Sequence, residues 1–96
     1  MSDHGPLFRL RLLSGSSNVE RVGRLTPYTL DTIVDAARRI GPAAWLDLAV
    51  SGDADADVLA ATRRRFERLV ARGIHVRVWR DADLDELRPA IRPAAA

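Results

Sequence analysis

Hydrophobic and polar positions alternate strictly near the start of the chain, with Phe8, Leu10 and Leu12 on one side and Arg9 and Arg11 on the other. A period of two is that of a half-buried strand. The cluster Ser14-Gly15-Ser16-Ser17-Asn18 reads as a turn and Val19–Leu25 as a return strand, so the pattern predicts an opening hairpin. Gly23 inside the return strand marks either a bulge or a close approach of backbone. The period then changes. Leu30, Ile33, Val34 and Ala37 recur at helical spacing, behind Thr26 or Thr29 as a cap and Pro27 in the first turn, and Gly41-Pro42 ends the helix.

The apolar run Ala43–Val50, bounded by Pro and Gly, predicts a central strand. Leu46, Leu48 and Val50 share one of its faces, and Trp45, Asp47 and Ala49 the other. Val58, Leu59, Thr62, Phe66, Leu69 and Val70 trace the apolar stripe of a second helix, with Gly73 as its terminator. Ile74–Trp79 alternates again, placing His75, Arg77 and Trp79 opposite Ile74, Val76 and Val78. A short last helix is expected within Asp83–Ile91, starting near Asp83 or Asp85 and ended by Pro89.

The predicted order is β-β-α-β-α-β-α, an α/β domain over residues 7–91 with parallel crossovers after the hairpin. Residues 1–6 and 92–96 are expected to be disordered. The strands are not apolar on both sides, so the helices should cover mainly one face of a mixed four-stranded sheet. The second face then carries Trp45, Asp47, Arg77 and Trp79, a mixed set for a surface left in water. Tryptophan concentrates at interface hot spots, so Trp45, Arg77 and Trp79 are expected to form a self-association or partner patch.

Composition narrows the classes. Fifteen basic against 13 acidic residues in 96 leave a formal net charge of +2, too small to suggest a nucleic-acid binder. All the basic residues are arginines, whose very high pKa lifts the pI to about 10.3 without a large net charge. The absence of cysteine removes disulfides, thiol nucleophiles and thiolate metal sites. No apolar stretch approaches the roughly 20 residues that span a bilayer. With no basic-then-apolar leader pattern at the start, a cytoplasmic location is expected.

The chemistry-bearing stretch is Ser51–Val58, in which Asp53, Asp55 and Asp57 alternate with small residues. The spacing opens like a calcium loop, but the sixth and twelfth positions hold Val58 and Arg64 where glycine and glutamate are needed. No metal site is expected. Catalysis lacks its parts: His75 sits on a strand with no nucleophile placed beside it by a motif, and no glycine-rich phosphate loop is present. Neither an enzyme nor a cofactor is expected. The arginines of the second helix lack interleaved aromatics for stacking bases. They suit a solvated face, or Arg63, Arg64 and Arg68 could pair with an acidic protein surface.

The order of elements and four segments resemble the STAS domain, the small α/β fold of anti-sigma-factor antagonists and sulfate-transporter tails. The segments are the hairpin FRLRLLSGSSNVERVGRL; GRLTPYT, where the family tends to have Gly-x-Leu-Asp-x-x-Thr; WLDLAVSG, against a strand of the Leu-Asp-Leu-Ser-Gly kind; and ARGIHVRVW. Thr26 stands where the family has its acidic residue. In that family a segment Asp-Ser-Ser/Thr-Gly opens the second helix and is phosphorylated by a partner kinase that is also an anti-sigma factor. Laid on this chain from Asp47, it falls on Asp55-Ala56-Asp57-Val58, so the phospho-acceptor position holds Asp57.

The resemblance implies a non-enzymatic regulatory domain that docks a kinase-like ATPase through Ser51, Asp53, Asp55, Ala56 and Asp57, with Arg63 and Arg64 beside them. An accessory subunit of a membrane transporter's ATPase is the alternative within binding modules, and a small nucleotide-binding or enzyme-subunit module stands third. Two readings of the carboxylates remain open. They cap the helix and complement its dipole, or Asp57 holds a fixed charge where a partner would otherwise meet a reversible phosphate.

Overall fold

The hairpin forms where the alternation predicts it. In the computed structural model, which describes residues 5–84 and residue 86, β1 (Leu7–Ser14) and β2 (Ser17–Arg24) pair antiparallel. The register runs unbroken from Leu7↔Arg24 to Ser14↔Ser17. Gly15, at φ 56°, occupies the first central position of the two-residue turn, the place a type II′ hairpin reserves for glycine. No bulge interrupts the pairing at Gly23. A Cβ there would lie 3.4 Å from the Phe8 ring, so Gly23 serves a close approach.

Helix α1 (Pro27–Ile40) starts on Thr26, whose hydroxyl accepts the Thr29 N–H at 3.1 Å. Strand β3 (Trp45–Ser51) follows, then helix α2 (Ala56–Ala71) and strand β4 (His75–Asp81). Helix α2 ends in a Schellman motif. Gly73 at φ 92° donates to the Val70 carbonyl, and Ile74 donates to that of Leu69. Both Leu69 and Ile74 are buried, which supplies the apolar contact of that motif.

The sheet order is β2-β1-β3-β4. Strand β1 is antiparallel to both β2 and β3, so those two run the same way, and β4 is parallel to β3. The connections β2-α1-β3 and β3-α2-β4 therefore advance across the sheet in one direction. Right-handed crossovers then carry both helices to the same face. That face is the core: Phe8, Leu10, Leu12, Leu46, Leu48 and Val50 from the sheet meet Leu30, Ile33, Leu59, Phe66 and Leu69 from the helices. Each such side chain contributes roughly 1.5–3 kcal/mol by leaving water.

The described residues form a compact α/β domain with two helices, in the order β-β-α-β-α-β, which corrects the predicted third helix. β4 continues past Trp79 to Asp81, and Asp81 Oδ1 then accepts the Asp83 N–H at 3.0 Å. That bond caps a 3₁₀ segment at Ala82–Leu84, close to where a helix start was expected. The remainder of the expected helix, residues 85 and 87–91, lies outside the described residues. No described helix is long and apolar enough to cross a membrane.

Candidate functional site

Because α1 follows β2 and α2 follows β3, both helices begin at the same edge of the sheet, beyond the carboxyl ends of two parallel strands. Crevices in α/β domains form at such edges. The Ser51–Val58 junction lies there, and its residues divide sharply by burial. Ser51 is fully buried. Its hydroxyl accepts the Leu7 N–H at 3.1 Å and donates to Asp53 Oδ1 at 2.5 Å. Ala54 is buried, whereas Asp53, Asp55, Ala56 and Asp57 are exposed.

Asp55 is the N-cap of α2, its Oδ1 accepting the Val58 N–H at 2.9 Å. Such a cap contributes about 1 kcal/mol. Asp57 stands in the first turn of α2, where a negative charge complements the helix dipole. It makes no hydrogen bond or ion pair among the described residues. The cap is thus Asp55, and Asp57 is the carboxylate offered to solvent. Among the described residues, no three acidic or histidine side chains are grouped so as to hold a metal ion.

Between the starts of the two helices runs an open groove of about 700 Å³. Leu25, Leu30, Ala54 and Val58 contribute apolar walls, Gly5 and Pro6 close one side, and Asp53, Asp55, Arg64 and Arg65 line its rim. Farther along, α1 and α2 face each other across a charged seam in which Arg65 pairs with Asp31. Both partners are about half exposed, so the pair is worth at most ~1 kcal/mol. Arg63 and Arg64, expected side by side, point to different places. Arg64 lines the groove, while Arg63 donates to the Val78 carbonyl on β4 at 3.2 Å.

The second sheet face carries Trp45, Arg77 and Trp79, with Trp45 paired to His75 and Arg77 and Trp79 farther along β4, and it adds Arg9 and Asp81, which the sequence did not single out. Trp45, 58% exposed, stacks on His75 with ring centroids 4.4 Å apart. The Arg77 guanidinium lies 4.5 Å over the Trp79 ring, and Trp79 Nε1 donates to Asp47 Oδ1 at 2.6 Å. Arg9 pairs with Asp81 at 3.1 Å across the same face. Its other end is closed: Leu7, Ala49 and Ser51 are buried although their parity points them away from the helices. Strand parity foretold the shared face, but the stack at Trp45↔His75 needed the β3–β4 register.

Fold and site together define a small α/β domain whose mixed four-stranded sheet has both helices on one face, with exposed carboxylates at the start of the second helix. Comparison with models of protein families, with curated proteins and with solved structures gives no match to this chain.

Proposed function

We propose that this chain is a non-enzymatic protein–protein interaction domain of STAS type, a regulator resembling an anti-sigma-factor antagonist whose phospho-acceptor position holds Asp57. One observation carries the reading. A carboxylate with no internal partner among the described residues stands exposed in the first turn of α2, two residues after the side chain that caps the helix. The cap explains Asp55 and leaves Asp57 for another macromolecule. The docking surface consists of Asp53, Asp55, Ala56 and Asp57 with Arg64 at the adjoining groove, while Ser51 positions the junction from beneath. A carboxylate carries about one negative charge against a phosphate's ~1.5–2, so the surface is read in one fixed state.

The test is capture of partners from the native cytosol on tagged wild-type protein and on Asp57→Asn. A histidine-kinase-like ATPase retained by the wild type, with its affinity shifted by Asp57→Asn, supports the proposal. A partner indifferent to Asp57→Asn but lost with Trp79→Ala would move the function to the second sheet face. Capture of a transporter ATPase would retain the docking site and replace the regulatory role.

A further inference from the structure

The seam between α1 and α2 holds more cations than its carboxylates neutralise. Arg64, Arg68 and the C-cap Arg72 recur at every fourth position along α2, and Arg38 of α1 lines the same cleft of about 690 Å³. Two aspartates of α1, Asp31 and Asp35, line it as well. Arg65 pairs with Asp31. That leaves Arg38, Arg64, Arg68 and Arg72 against Asp35 alone, and none of these side chains makes a hydrogen bond or ion pair among the described residues.

Like charges four residues apart weaken a helix. The helix dipole accounts for a cation near each end: Arg38 stands in the last turn of α1 and Arg68 in that of α2. It gives no reason for Arg64, midway along α2, or for one cleft that receives unpaired cations from both of its walls. The planar fork of arginine fits the oxygens of carboxylate and of phosphate. The number of forks points to phosphate. One bidentate arginine occupies both oxygens of a carboxylate, whereas a phosphate offers three acceptor oxygens and takes more than one. The volume falls within the roughly 300–1,000 Å³ of small-molecule sites. No described aromatic side chain lines the cleft, so it offers no platform for the stacked bases of a nucleic acid.

We propose that the cleft binds a small anion carrying two or more adjacent phosphate groups, held by Arg38 from one helix and by Arg64, Arg68 and Arg72 from the other. Successive arginines of the α2 row lie about 6 Å apart along the axis, so neighbouring phosphates reach forks from two turns at once. Asp35 opposes the ligand and limits its affinity. The site is separate from the one that carries the functional reading, since Asp57 does not line this cleft. All the arginines concerned are exposed, so binding depends on ionic strength.

Calorimetric titration of the full chain with pyrophosphate at low salt tests the proposal, with circular dichroism of each variant as the control for folding. Saturable binding of one anion per chain is expected, weakening as salt is raised. Arg38→Gln and Arg68→Gln, on opposite walls, should each weaken it about tenfold. Asp35→Asn should tighten it by roughly threefold, the opposite sign. Arg63→Gln removes the same charge from the same helix but outside the cleft, and should leave the affinity unchanged. Titration with ADP separates the sources of the phosphates: equal affinity assigns the phosphates alone, and tighter binding assigns a nucleoside diphosphate. No saturable binding at millimolar pyrophosphate overturns the proposal. So does an Arg63→Gln variant weakened as much as Arg68→Gln, which would reduce the effect to net charge. Citrate bound as tightly as pyrophosphate overturns the choice of phosphate, and a single-stranded oligonucleotide bound more tightly overturns the choice of a small ligand.

Discussion

At the scale of single residues, the junction separates side chains that hold the fold from those left for a partner. Ser51 belongs to the first kind: its hydroxyl satisfies the N–H of Leu7, 44 residues away in the chain, inside the protein. Ser51→Ala leaves that buried N–H without its acceptor and should lower stability by about 1–3 kcal/mol, read from the urea midpoint at constant slope. Asp57→Asn touches only an exposed side chain and should change stability by no more than ~0.5 kcal/mol in the same measurement. That a carboxylate of this stretch caps α2 was legible in the sequence, because capping is settled within three residues, but the choice of Asp55 among Asp53, Asp55 and Asp57 came from the structure. The roles of Ser51 and Arg63 were not legible, since each bonds to a strand that only the folded chain brings near.

At the scale of elements, periodicity located the strands and helices, and the ends were decided by local chemistry of known kinds. Gly73 at φ 92° is the clearest case, because a residue with a Cβ is disfavoured in that region. Gly73→Ala should cost about 1 kcal/mol or more, visible as a lower thermal midpoint without loss of helix content by circular dichroism. Gly23 shows the reverse situation. Its presence within a strand allowed a bulge or a close approach, and the continuous β1–β2 register together with the Phe8 ring decides for the latter. The described part of the expected last helix is 3₁₀ at 82–84 and 86, one residue ahead of Asp83, because Asp81 caps the segment by accepting the Asp83 N–H.

At the scale of the molecule, the two faces of the sheet should respond differently to the same kind of truncation. Leu48 is fully buried at the centre of the core, so Leu48→Ala should cost ~2–5 kcal/mol. Trp45 is largely exposed on the opposite face, and Trp45→Ala should cost under about 1 kcal/mol. Urea unfolding of both variants checks the contrast; a large loss from Trp45→Ala would mean that the second face is a core in its own right. The groove has a similar origin. Two crossovers advancing the same way bring the starts of α1 and α2 to one edge, and the pairing of Arg65 with Asp31 follows from that placement.

The sequence by itself determined the parity of β1, β3 and β4, the apolar stripe of each helix, a carboxylate cap on α2 and the absence of a thiol, because all of these depend on residue type or on spacings of two to four. Only the tertiary structure decided that β1 lies between β2 and β3, that Ser51 is buried beneath exposed carboxylates, that Arg63 and Arg64 part company, and that β2 is an outer strand of the described sheet. These depend on pairings between segments far apart in the chain. Their register is chosen by the burial of a whole face at once, a quantity no local window of sequence contains.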